Sequence, residues 1–184
     1  MALLTLTEAK RQLDMETAAD DLELQVYIDA LTAAIERHIG PVQFREVTET
    51  IEGRGSTMCL STIPVTALVS MTPLGGGTAL DVGVLDLDPA TGIVRYLNGS
   101  FSGTVWRAAY TAGRVAEDGE VPATIKLAAA MLLQHLWRTQ YGSARGQGSD
   151  DGFSVTEPIP GFGYAIPNRV LQLLEAYKLP PGVA

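Results

Sequence analysis

Apolar residues recur every three or four positions at the two ends of this chain and roughly every second position between them. Leu24, Ile28, Leu31, Ile35 and Ile39 follow the helical period. Gly40-Pro41 then supplies a residue that can take the left-handed position and one that blocks further helix. Asp20, Asp21 and Glu23 put negative charge on the opening turn, where unpaired backbone N–H groups favour it. Upstream, Thr5-Leu6-Thr7-Glu8 has the spacing of a capping box. It predicts a short helix to about Leu13, with Leu6, Ala9 and Leu13 on one face.

From Val42 the pattern changes. Phe44 to Ile51 alternates and is rich in β-branched residues, and Met58–Leu60, Val65–Met71, Ile93–Leu97 and Thr104–Thr111 also read as strands. Gly53-Arg54-Gly55, Gly75-Gly76-Gly77, Asp88-Pro89 and Asn98-Gly99 separate them as turn material. Pro122 then occupies a first-turn position for a helix to about Tyr141. Ile125, Ala129, Leu132, Leu136 and Gln140 form its stripe, widened by Ala128, Met131 and His135 on one side and by Leu133 and Trp137 on the other. So broad an apolar surface calls for neighbours on more than one side, either inside the fold or on another subunit. Gly142 stops the helix, and residues 143–166 form a glycine-rich loop carrying Phe153, Phe162 and Tyr164. A loop of that length in a compact chain points to a partner or a lid role. Pro167 opens a last helix with Val170, Leu171, Leu174 and Tyr177 apolar, and Pro180-Pro181 ends it. The expected class is α+β: a bundle of three to four helices with an inserted small antiparallel or mixed β block, and a long glycine-rich loop before the final helix. The expected divisions are N-terminal helices over 1–41, a β-rich insert over 42–116, and 117–184 for the long core helix, the arm 143–166 and the last helix, all within one compact domain.

The chain's 184 residues, 46% of them hydrophobic, suffice for one well-filled core. Only 18% are charged, so much of the surface must be neutral. A formal charge of -8 argues against a tight, sequence-independent grip on a nucleic-acid backbone, which needs clustered Lys and Arg. It does not argue against a passage that DNA crosses without being held. One cysteine permits no intrachain disulfide and no cysteine-rich metal site. The opening Met1-Ala2-Leu3-Leu4 has no basic segment and no long apolar run, so no signal peptide and an intracellular setting are expected. The apolar stretch Leu127–Leu133 is too short to span a membrane.

Candidate chemistry is thin. His38 stands near a helix end and His135 inside the most apolar helix, too far apart in sequence to suggest a ligand set. Asp81, Asp86 and Asp88 cluster, yet lack the glycine and closing Glu of a calcium loop, and read as turn-forming carboxylates. The triple glycine is not followed by Lys-Ser/Thr, so it reads as a hairpin tip, not a phosphate loop. No G-x-S-x-G elbow occurs. Cys59 reads as a small core hydrophobe, and Trp106 and Trp137 as packing residues. No metal and no cofactor is expected.

The order of the segments carries more than any one of them. Thr5-Leu6-Thr7-Glu8-Ala9-Lys10-Arg11-Gln12-Leu13, then Asp20-Asp21, then an aliphatic helix ending at Ile39-Gly40-Pro41, resembles the opening of tailed-bacteriophage head–tail connector (adaptor) proteins. Gly103-Thr104-Val105-Trp106-Arg107-Ala108-Ala109-Tyr110-Thr111-Ala112-Gly113 is similar to that family's last strand and its Tyr-x-Ala-Gly turn, and Pro122-Ala123-Thr124-Ile125-Lys126-Leu127-Ala128 to the start of its long helix. The resemblance implies a non-enzymatic virion subunit of the neck, assembled in the host cytoplasm. It also implies self-association in a dodecameric ring, contact with the portal protein and with a tail-side stopper or tail terminator, DNA passing without specific binding, and no membrane. Leu24, Ile28, Leu133, Trp137, Tyr141, Phe153, Phe162, Tyr164 and Tyr177 are the interface candidates. A tail-completion or stopper protein of the same assembly is one alternative. A small intracellular enzyme or ligand-binding domain, with a pocket near His135 or the Asp81–Asp88 loop, is another.

Overall fold

The computed structural model describes residues 2–116, 119–141 and 166–180. It is α+β and divides into two compact units, one of Met1–Ile35 with Pro122–Ala176 and one of Glu36–Val121 with Tyr177–Ala184.

The first unit is helical. Helix α1 spans Leu6–Leu13, α2 spans Asp21–Ile39 (its last turn belongs to the second unit), α3 spans Ala123–Tyr141 and α4 spans Asn168–Leu174. The expected capping box is formed: the Glu8 N–H donates to Thr5 Oγ1 at 3.2 Å and the Thr5 N–H to Glu8 Oε2 at 2.8 Å. Asp14 ends α1 in the left-handed conformation, with φ 58°. Lys126 of α3 reaches Glu8 at 3.0 Å and Lys10 reaches Asp21 at 2.7 Å, so α1 is tied by charge to α3 and to the start of α2. Ala9, Leu24, Ile28, Leu31, Ile35, Ile125, Ala128, Ala129, Leu132, Leu133, Val170 and Leu174 are buried. Each large aliphatic among them contributes roughly 1.5–3 kcal/mol on leaving water. Thr32 is a buried polar residue within this apolar setting, and it is satisfied: it accepts the Leu3 N–H at 3.2 Å and its hydroxyl donates to Ile28 O at 2.7 Å.

The second unit holds two three-stranded antiparallel sheets. Strands β1 (Arg45–Glu52), β3 (Val65–Pro73) and β6 (Val105–Ala112) form one, in the order β1-β6-β3. Strands β2 (Thr57–Cys59), β4 (Leu85–Asp88) and β5 (Ile93–Tyr96) form the other, in the order β2-β5-β4. The central strand β6 alternates as the pattern requires: Trp106, Ala108, Tyr110 and Ala112 are buried. They meet Met58, Leu60, Val65, Met71, Val94 and Phe101 in one core. Phe101 is fully buried, stacks edge-on against Trp106 at 5.6 Å and accepts the Trp106 indole N–H on its carbonyl at 2.8 Å. Gly53 lies so close that a Cβ there would stand 1.8 Å from Phe101 O. Gly40 ends α2 with φ +78°, and its Cβ would stand 2.1 Å from Ile63 O.

Five of the six strands fall where alternation places them, within a residue or two at each end. Strand β4 is the difference. Its Leu-Asp-Leu-Asp sequence looks like turn chemistry because its acids are paired locally. Asp86 pairs with Arg95 of β5 at 3.3 Å, and Asp88 accepts from the Ala90 N–H at 3.1 Å and the Thr91 hydroxyl at 2.7 Å. Those bonds, the Thr91 one foremost, hold the Asp88 carboxyl below its ordinary value. Asp81 caps a short 3-10 turn through the Gly83 N–H at 2.9 Å.

Two outcomes are expected. Phe101→Ala leaves a cavity beneath Trp106 and lowers unfolding stability by about 3–5 kcal/mol in a denaturant titration, beyond the cost of an exposed substitution. The Glu8 carboxyl sits below its ordinary value, first because of the Thr5 N–H and then because of Lys126. A lowered folded pKa stabilises at pH above the ordinary carboxylate range, and that contribution is lost as pH falls through the lowered value. Thermal midpoints followed down through the carboxylate range should therefore fall more steeply for the native chain than for Glu8→Gln, which has nothing to protonate there.

Candidate interaction surfaces

The polar groups of the second unit mostly serve its own backbone. The Tyr110 hydroxyl donates to Glu49 Oε1 at 2.8 Å and accepts the Thr62 N–H at 3.1 Å, while the Ser61 N–H donates to the same carboxylate at 2.9 Å. One Glu–Tyr pair thus fixes the loop between β2 and β3 onto the sheet. Burial pushes the Tyr110 phenol up. Arg114 is the other anchor. Its guanidinium donates to Ile39 O at 2.8 Å and to Tyr177 O at 2.6 Å, and lies 5.5 Å from the centre of the Tyr177 ring. A cation there complements the negative C-terminal end of α2. Burial draws the Arg114 guanidinium below its ordinary value.

The Ser61 hydroxyl donates to Glu49 Oε2 as well, at 2.5 Å, so that carboxylate gathers three donors. His135 is exposed and His38 half-buried. Among the described residues no three His, Cys, Asp or Glu side chains gather as a metal-ligand group. Cys59 corrects an expectation: it is exposed, because strand alternation turns Met58 and Leu60 inward and the residue between them outward.

The interface candidates fall into three groups. Leu24, Ile28 and Leu133 are fully buried within the helical unit, and Trp137 is 8% exposed and stacks edge-on with Tyr27 at 5.5 Å. Tyr177 lies half-buried under Arg114. Phe153, Phe162 and Tyr164, with the side chain of Tyr141, lie outside the described residues.

The exposed apolar groups are others. Leu22 is 89% exposed and Val26 67%, both on α2, and Leu127 on α3 is 51% exposed. Val69 and Leu97 are exposed on the β unit. The helical period could have found the first two. Leu22 and Val26 stand about 120–160° around the helix from Leu24 and Ile28 at 100° per residue, so one apolar stripe cannot hold them all. Their neighbours Ala30 and Ala33 are exposed too, and with Asp29 and Arg37 they make a second stripe that ends in charge.

No curated protein matches the sequence significantly. Solved structures do match in fold. A chain from the neck of an empty gene transfer agent particle, computed with C6 symmetry, is 21% identical, with a TM-score of 0.64 over 99% of this chain and 92% of that one. A chain from the virion of a native gene transfer agent particle is 20% identical, with a TM-score of 0.62 over 99% and 92%. A chain from the neck of a native particle, computed with C12 symmetry, is 20% identical, with a TM-score of 0.58 over 100% and 97%. These likenesses show a shared fold from end to end. A family model described as "Head completion protein" matches residues 2–179, and the chain belongs to that family.

Proposed function

We propose that this chain is a structural subunit of the neck of a tailed-phage-like particle, assembled in the host cytoplasm as a closed ring between portal and tail through which DNA passes. One observation carries the reading: the fold is shared over nearly the whole of both chains with proteins from the necks of gene transfer agent particles. The head-completion family supports a place at the head end of the neck. Necks computed with C6 and with C12 symmetry are both compatible with a ring of twelve.

The chemistry fits that role. A ring subunit needs two different surfaces that meet each other on neighbouring copies. It needs no pocket and no cofactor. An excess of acid, -8 overall, keeps a passing phosphate polymer mobile where basic clusters would hold it. The glycine-rich segment 143–166, with Phe153, Phe162 and Tyr164, is the part we assign to the portal or to the next tail component.

Mass measurement and particle imaging of the full chain, alone and mixed with portal rings, test this. The expected result is a closed ring stacked on the portal, with amides of 143–166 gaining hydrogen-exchange protection there. A chain that stays monomeric beside intact portal rings would overturn the assignment. An unprotected segment on a verified ring would remove that segment from the contact.

A further inference from the structure

The exposed stripes of α2 and α3 are complementary to each other. On α2 the stripe runs Leu22, Val26, Ala30, Ala33 and Arg37, all exposed. On α3 it runs Ala123, Leu127, Met131, Gln134 and Arg138, exposed at Ala123, Leu127 and Arg138 and half-buried between. Each occupies an arc of about 100° on its helix. Both helices have 19 residues, so both present a face about 28 Å long.

Shape and charge select one way to join them. Ala30 and Ala33 make a shallow groove, and Leu127 and Met131 are the ridge that fits it. If the helices run antiparallel with Ala33 opposite Leu127, Met131 falls opposite Ala30. Arg138 then falls against the acidic opening turn of α2, where Asp21 and Glu23 stand, and its stem covers Leu22. The parallel arrangement brings Arg37 onto Arg138 and gains none of these contacts.

We infer that the exposed stripe of α2 on one copy of this chain docks antiparallel on the exposed stripe of α3 on the next copy, and that this heterologous helix pair is the repeating contact of the ring. The inference rests on the ring reading above and names the surface that closes it. The occupant is a second copy because the two stripes match each other and differ from one another, which is what a cyclic contact requires of one chain. Closing the contact covers Leu22, Val26 and Leu127, three of the large apolar side chains the single chain leaves in water.

The test uses the full chain with exposed Cys59 replaced by Ser, so that the only thiols are those introduced. Ala33→Cys and Leu127→Cys in one chain should cross-link under mild oxidation into a ladder of oligomers up to the closed ring. Either substitution alone should give at least tenfold less covalent dimer. Arg138→Glu, which sets a like charge against the acidic opening turn of α2, should raise the concentration for half-assembly about tenfold. Circular dichroism melts of each variant as a monomer should stay near that of the parent, since every site is exposed. Rings that assemble without the double-cysteine ladder would overturn this contact and leave the ring reading standing. A strong dimer from Ala33→Cys alone would mean like stripes pair, an outcome that also overturns it. Introduced thiols that link only within one chain, or only to the portal, would assign the stripes to another occupant. Failure of the Cys59→Ser parent to assemble under any condition, portal included, would remove the contact and the ring together.

Discussion

Strand β6 is the constraint on which the β unit depends. It alone hydrogen-bonds to both β1 and β3, with Val105–Ala112 matched residue for residue along β1. Its inward residues, Trp106, Ala108, Tyr110 and Ala112, alternate large with small. They share one core with Met58, Val94 and Phe101, and the Phe101 ring lies edge-on against Trp106. A slip of one residue would turn all four inward groups to solvent, and the Trp106 indole would lose the Phe101 carbonyl. Gly53 is a consequence of the same packing: the backbone at Phe101 leaves no room for a Cβ.

The helical unit rests on a different economy. Its interior is almost wholly aliphatic, and Thr32 settles its polar demand within the helix and with Leu3. Charge works at the margins, through Lys126 to Glu8 and Lys10 to Asp21, where partly exposed pairs are worth a fraction of a kcal/mol each and chiefly set which helix meets which. That leaves Leu22 and Val26 on α2 and Leu127 on α3 in water.

Much of this was legible from the residues alone. The capping box, the Gly40 stop, the α3 start after Pro122 and most of the strands followed from local rules, because capping, glycine conformation and strand alternation act over a few residues. Strand β4 did not, since Asp86 and Asp88 signal a turn until Arg95 and Thr91 are seen beside them. Cys59 was legible too: with Met58 and Leu60 turned inward, strand alternation leaves the thiol outside. The harder matter was which apolar residues face outward. Leu24 and Leu22 are chemically alike, and only their phase around α2 separates the sealed residue from the bare one. Arg114 was equally hidden: its two carbonyl partners lie 75 and 63 residues away, and no spacing rule joins them.

That guanidinium has a mechanical consequence. Tyr177 comes just after the last helix, and its carbonyl and ring are both held by Arg114, which also holds the end of α2. Tension applied to the final residues therefore meets a clasp on the β unit before it can peel α4 from its seat. Load entering just beyond Tyr177 is borne first by that charged grip and by the ring beneath it, and the last helix is spared the pull.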